Sequence, residues 1–264
     1  MSGTERDRER VDPAAAEHDS AGRVLNVLIT GASSGIGEAV AERFRASGAK
    51  LFLTGRRAEP PSTLRPVERY LAGDLNDETF VAQVMDEAVA ELGPIDSVIA
   101  CHGLQADGAL TEMEVGKALE LLEANVLSVF SVLKHAVPRI REGGGQIVLV
   151  SSRLGLVGIP GQAMYTAAKG GLVMLGKGAA VELAPRNIRV NIAAPGLTET
   201  PIIEAGIQRH SDPEAYRAQR AATIPMQRLA QPSEVAEAIF FLGSPASSYI
   251  TGAVLPVDGG YTAA

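Results

Sequence analysis

From Val24 onward the chain alternates short runs of β-branched and aliphatic residues with longer amphipathic stretches, and the hydrophobic period assigns a form to each. The runs VLNVLIT (24–30), KLFLT (50–54), IDSVIA (95–100), GQIVLVSS (145–152), IRVNIAA (188–194) and AVLPVDGG (253–260) are predicted strands. A further strand is expected just before Asp74, in YLAGDLND. Helical patterning covers 36–47, 77–92, about 114–140, and the stretch YTAAKGGLVMLGKGAAVELA that starts at Tyr165. Strands that are apolar throughout, with a helix between successive pairs, imply a parallel sheet covered on both faces. The expectation is one doubly wound α/β domain over residues 23–264.

Three stretches depart from this alternation. Residues 1–22 mix charges of both signs with small residues and show no apolar face, so a disordered N-terminal tail is expected. Between Arg56 and Tyr70, Pro60, Pro61 and Pro66 argue against a helix. Residues 196–231, rich in Pro, Gln, Arg and Ala, exceed a usual connection and are expected to cover a substrate.

The 264 residues are 46% hydrophobic but only 4% aromatic, without Trp, so the core must come from Ala, Val, Leu and Ile. A formal charge of −7, with no Lys/Arg cluster, disfavours nucleic acid and anionic membranes as partners. A small-molecule partner is expected instead. Cys101 is the single cysteine, and no apolar run has the length of a signal peptide or a membrane span, so a cytoplasmic location is expected.

Candidate chemistry begins at LITGASSGIG (28–37), a strand-to-helix turn through Gly31, Ser33, Ser34, Gly35, Ile36 and Gly37. Glycines let the backbone turn and approach a ligand, and a new helix presents unpaired N–H groups to a phosphate. The spacing differs from the common G-x-G-x-x-G. After the second strand, TGRR places Gly55 where an acid would bind both ribose hydroxyls, followed by Arg56 and Arg57. Cations there suit a 2′-phosphate, which favours NADP(H) over NAD(H). Asp74, followed by Leu75, is placed to accept from an adenine amine, with helix capping as the competing role and Asn76 or Asp77 equally able to cap.

Tyr165 and Lys169, four apart on a helix, share one face. A phenol of pKa about 10 exchanges protons poorly at neutral pH, and a nearby ammonium is expected to lower that value. Tyr-x-x-x-Lys alone is common. Upstream, however, Ser151 and Ser152 end a predicted strand at the edge where open α/β sheets bind ligands.

Together these motifs resemble the short-chain dehydrogenase/reductase family over nearly all of Val24 to Thr262. TGASSGIG matches its cofactor turn, YTAAK its Tyr-x-x-x-Lys, Ser152 its catalytic serine, and APGLTET its Pro-Gly motif after a strand. The resemblance implies a Rossmann-type fold and hydride transfer between NADP(H) and a carbonyl or secondary alcohol. An NAD(H)-dependent member or a catalytically silent nucleotide-binding regulator are the alternatives. It further implies Tyr165 as general acid/base, Ser152 holding the substrate oxygen, and Lys169 binding the nicotinamide ribose while lowering the tyrosine's pKa. Asn125 would hold a water linking the lysine to solvent. Gly103, Pro195, Gly196, Thr198 and Thr200 would meet the cofactor, no metal is implied, and the LPVDGGYTA ending suggests a homotetramer or homodimer.

One departure stands out, since the family's Asn-Asn-Ala-Gly reads here Ala100, Cys101, His102, Gly103. The first Asn normally ties neighbouring backbone together, so that support must come from elsewhere. His102 is not expected to be catalytic, because the proton relay is complete without it, and Cys101 is expected to be a small filler. Leu154, Ile159, Met164 and Leu197 line an apolar pocket or belong to the core. Arg186 offers a place for an acyl carrier, against which the acidic net charge speaks.

Overall fold

Every residue of NVLIT, the first strand, is buried, because helices cover it on both sides. The computed structural model describes residues 23–264, so the expected tail lies outside the described residues. Strands β1 (Asn26–Thr30), β2 (Lys50–Gly55), β3 (Arg69–Ala72), β4 (Ser97–Ala100), β5 (Gly145–Val150), β6 (Ile188–Pro195) and β7 (Val254–Val257) form one sheet. Their order is β3-β2-β1-β4-β5-β6-β7, with every pairing parallel. The helices are α1 (Gly35–Ala46), α2 (Glu78–Leu92), α3 (Val115–Leu122), α4 (Ser128–Ala136), α5 (Ala163–Leu183), α6 (Pro201–Ile207), α7 (Pro213–Ala222) and α8 (Pro232–Gly243).

Alternation along β1 divides the core. Leu28 joins Phe52, Met85, Val129 and Leu172 on the face covered by α2, α4 and α5. Val27 and Ile29 point the other way, toward Phe44 of α1 and Phe240 of α8. Those two rings meet edge to face at 4.9 Å. The strand order turns back between β1 and β4, and the crevice this opens at the carboxyl ends of the strands is where such sheets bind ligands.

Three elements differ from the pattern-based expectation. The helix expected over 114–140 is interrupted by a π turn, Glu123–Leu127, and closes in a 3-10 turn, Val137–Arg139, that contains Pro138. Helix α8 was not anticipated, although its signals are ordinary: Pro232 in the first turn, where a missing N–H costs nothing, and a capping box between Gln231 and Glu234. Residues 196–231 hold α6 and α7, each opened by a proline. No helix forms between Arg56 and Tyr70, as the prolines require. That stretch is anchored by Glu68, whose carboxylate accepts two hydrogen bonds from Arg45 at 2.6 and 2.8 Å with both side chains buried.

Candidate active site

The turn after β1 is shaped by close backbone packing. Gly31, at φ +67°, has no room for a side chain, since a Cβ would lie 2.6 Å from the His102 nitrogen. A Cβ on Gly37 would meet the Gly31 carbonyl at 2.2 Å. Gly35, also left-handed at φ +62°, faces Thr200, whose Cγ2 lies 3.2 Å from a Cβ placed there. Ser34 begins α1 without a side-chain cap, so the first N–H groups of the helix stay available. The Thr200 hydroxyl is buried and lacks a hydrogen-bond partner. Free helix donors, an orphaned hydroxyl and a cradle without Cβ atoms make a fitting seat for a phosphate.

The cleft above this turn has a volume of about 1130 Å³ and runs along the carboxyl edge of the sheet. Gly31, Ser33, Ser34, Gly35, Ile36 and Gly37 line it, and so do Arg56, Arg57, Asp74 and Leu75 on one side. Asn125, Ser152, Tyr165 and Lys169 line the other, with Gly103, Pro195, Gly196, Thr198 and Thr200 between. Every residue singled out from the sequence as catalytic or cofactor-binding therefore borders one cavity. Asp77, not Asp74, caps α2, its carboxylate accepting from Thr79 N at 2.8 Å. Asp74 is left exposed in the cleft, one oxygen accepting from Asn76 N at 3.0 Å.

Ser151 and Lys169 knit β5 to α5. Ser151 Oγ donates to the Lys169 carbonyl at 2.9 Å, and Lys169 Nζ donates to the Val150 carbonyl at 3.2 Å. Lys169 Nζ lies 5.9 Å from the centre of the Tyr165 ring. Gly103 must be glycine for this to assemble, because a Cβ there would sit 2.6 Å from Asn125 Oδ1 and 3.1 Å from Lys169 Nζ. Burial pushes the Lys169 ammonium down to about 8.

The electrostatics of Tyr165 run against expectation. Burial pushes its phenol up to about 12, and the opposing influence is a hydrogen bond shared with Ser152, not the lysine charge. Desolvation is the dominant influence, although an ammonium lies 5.9 Å from the ring centre. Asn125 differs as well. Its Nδ2 donates to the carbonyls of Leu104 at 2.8 Å and Leu121 at 2.9 Å, while Oδ1 accepts from Leu104 N at 3.2 Å. Both of its N–H groups are thus committed to holding the 103–104 loop within the π turn, which leaves only Oδ1 for a water link.

The missing asparagine support comes from His102. Its Nδ1 lies 2.6 Å from Thr30 Oγ1 and its Nε2 3.0 Å from Ser128 Oγ, so the ring ties the end of β1 to the start of α4. Burial, with Lys169 nearby, pushes it down to about 3, so it is neutral at working pH. Burial likewise pushes the Cys101 thiol up to about 12, which makes it inert. Of the four residues assigned to the apolar pocket, Leu154, Ile159 and Leu197 line the cleft, whereas Met164 does not. Arg153 and Arg220, which no motif marks, also line it. Among the described residues no three His, Cys, Asp or Glu side chains group to hold a metal, and no helix is long and apolar enough to cross a membrane.

A family model described as enoyl-(acyl carrier protein) reductase matches residues 31–262. The cis-4-hydroxycyclohexanecarboxylate dehydrogenase of Sinomonas cyclohexanicum is 41% identical over 245 residues, spanning 89% of this chain and 96% of that protein. The 3-oxoacyl-(acyl-carrier-protein) reductase of Thermotoga maritima is 37% identical over 241 residues, 88% of this chain and 96% of its own. Among solved structures, ligand-free aldohexose dehydrogenase of Thermoplasma acidophilum superimposes with a TM-score of 0.86 at 29% identity, covering 92% and 95% of the two chains. ElxO with NADP bound gives 0.85 at 30% identity, covering 92% and 100%.

Proposed function

The chain belongs to the short-chain dehydrogenase/reductase family of NAD(P)-dependent oxidoreductases, and we propose that it interconverts a carbonyl and a secondary alcohol using NADP(H), with Tyr165 exchanging the proton. The observation that carries this reading is the convergence of Ser152, Tyr165 and Lys169 on the cleft that the glycine turn opens.

A bound nicotinamide supplies the hydride, and the protein supplies position and proton. The donors of Ser34, Gly35 and the first turn of α1 would hold the pyrophosphate, with the unpartnered Thr200 hydroxyl beside the same turn. Arg56 and Arg57, exposed and without an ion-pair partner among the described residues, favour a 2′-phosphate. Ser152 donates a hydrogen bond to the substrate oxygen. With its pKa near 12, Tyr165 is a neutral phenol at pH 7, so in reduction it gives its proton to that oxygen as the alcohol forms. In oxidation the phenolate form takes the proton back, and the Ser152 hydrogen bond stabilises that phenolate. At about 8, Lys169 is mostly charged at neutral pH and is able to pass a proton onward.

Two relatives act on different substrates, a ring hydroxy-carboxylate and a carrier-bound 3-oxoacyl chain. Arg186 does not favour the carrier, since it follows the far end of α5, roughly 30 Å of helix from Tyr165. Tyr165→Phe tests the relay. Over a panel of ketones and secondary alcohols with both cofactors, followed by absorbance of reduced nicotinamide, kcat should fall roughly 10²- to 10⁴-fold while cofactor binding survives. Turnover close to wild type would reject the assignment.

A further inference from the structure

Arg153 follows Ser152 directly and is 4% exposed. Its Nη1 is buried without a hydrogen-bond partner. Among the described residues no carboxylate forms an ion pair with it, and its guanidinium carbon lies 3.6 Å from the centre of the Tyr261 ring. Asp258 is near enough to be felt, yet its oxygens already accept from Gly260 N, Thr262 N and Thr262 Oγ1. A buried cation without a hydrogen-bonded anion is costly, and an anion arriving from outside would offset that cost.

A second guanidinium faces the first. Arg220 projects from α7 into the same cleft, close enough to push Arg153 down in addition to burial. It donates to Tyr216 OH at 3.2 Å and has no carboxylate partner among the described residues. Two repelling cations, one on the turn after the catalytic serine and one on the covering segment, both line the space beside Ser152 and Tyr165.

We propose that Arg153 and Arg220 bind a carboxylate carried by the substrate itself, so that the enzyme acts on keto acids and hydroxy acids. The inference rests on the oxidoreductase reading above. The apolar side chains Leu154, Ile159 and Leu197 accommodate the carbon skeleton between the reacting oxygen and the acid. Binding the anion also relieves the repulsion between the two guanidinium groups.

The test compares linear and cyclic 2-, 3- and 4-oxocarboxylates with their methyl esters in wild type, Arg153→Gln and Arg220→Gln. Wild type should prefer the best acid over its ester by roughly 10- to 100-fold in kcat/KM, mainly through KM, and both variants should reduce that ratio. Removing a buried unpaired charge is neutral or stabilising, so Arg153→Gln should fold with an undiminished Tm. A wild-type ratio near one, or a ratio that neither variant changes, overturns the proposal while leaving the enzyme reading intact. If no member of the panel turns over with either cofactor, the enzyme reading fails and calorimetry decides the site. Benzoate binding that benzamide does not share, and that Arg153→Gln abolishes, then supports a carboxylate site; no benzoate binding overturns it.

Discussion

At Gly55 a Cβ would come within 2.9 Å of the Tyr70 hydroxyl and 3.2 Å of Ser33 Oγ, so an acidic side chain does not fit where a ribose-binding acid would stand. Tyr70 is itself held, its hydroxyl donating to the Arg57 carbonyl at 2.7 Å, and this fixes the backbone that presents both arginines. The choice between cofactors thus comes down to two exposed side chains on a rigid corner. Arg56→Ala should weaken NADP(H) binding roughly tenfold and leave NAD(H) nearly unaffected, because only the former carries the 2′-phosphate. Fluorescence titration with both reduced cofactors measures this, and equal losses would refute the NADP(H) preference.

Between elements, His102 joins the end of β1 to the start of α4, and its chemistry makes that joint sensitive to acid. Its ordinary pKa of 6.5 falls to about 3 in the fold through burial and Lys169. From pH 6.5 down toward 3 the unfolded chain binds a proton that the folded chain refuses, so stability declines as pH falls through that window. His102→Gln removes the titration, and urea unfolding at pH 6.5 and 4.5 should show a slope shallower than wild type by about 1.1 kcal/mol per pH unit. Identical slopes would show that His102 takes up its proton in the fold as readily as in the unfolded chain. The same joint marks what sequence can convey. The alternation of apolar strands and helices gives the sheet, and spacing alone brings Ser152, Tyr165 and Lys169 to one edge. It gives neither the π turn around Asn125 nor the part played by His102, since both depend on contacts 21 to 72 residues apart. The raised pKa of Tyr165 is hidden for a similar reason: the spacing of a tyrosine and a lysine reveals the ammonium but not the burial that dominates. Arg153 leaves no trace because a charged residue beside a serine reads as surface until the helices close over it.

For the molecule as a whole, six of the exposed large apolar side chains lie outside the cleft lining on α3, the π turn, α4 and α5. Val115, Leu119, Leu127, Phe130, Met174 and Val181 are all more than half exposed. Helix α5 connects them to the site, since it carries Tyr165 and Lys169 in its first two turns and Met174 and Val181 further on. A twofold contact would repeat each residue, so six such side chains would supply the apolar centre of an isologous interface. Covering that surface would hold α5 from outside while Ser151 and Val150 hold it from within. The full chain at micromolar concentration should therefore run as a dimer or tetramer in light scattering coupled to size exclusion. Phe130→Glu combined with Met174→Glu should shift it toward monomer, because burying four like charges around a twofold axis is unfavourable. Tm and kcat should fall together in that variant, as α5 loses its outer support. A monomeric wild type, or a double variant that dissociates with undiminished kcat, would separate assembly from catalysis.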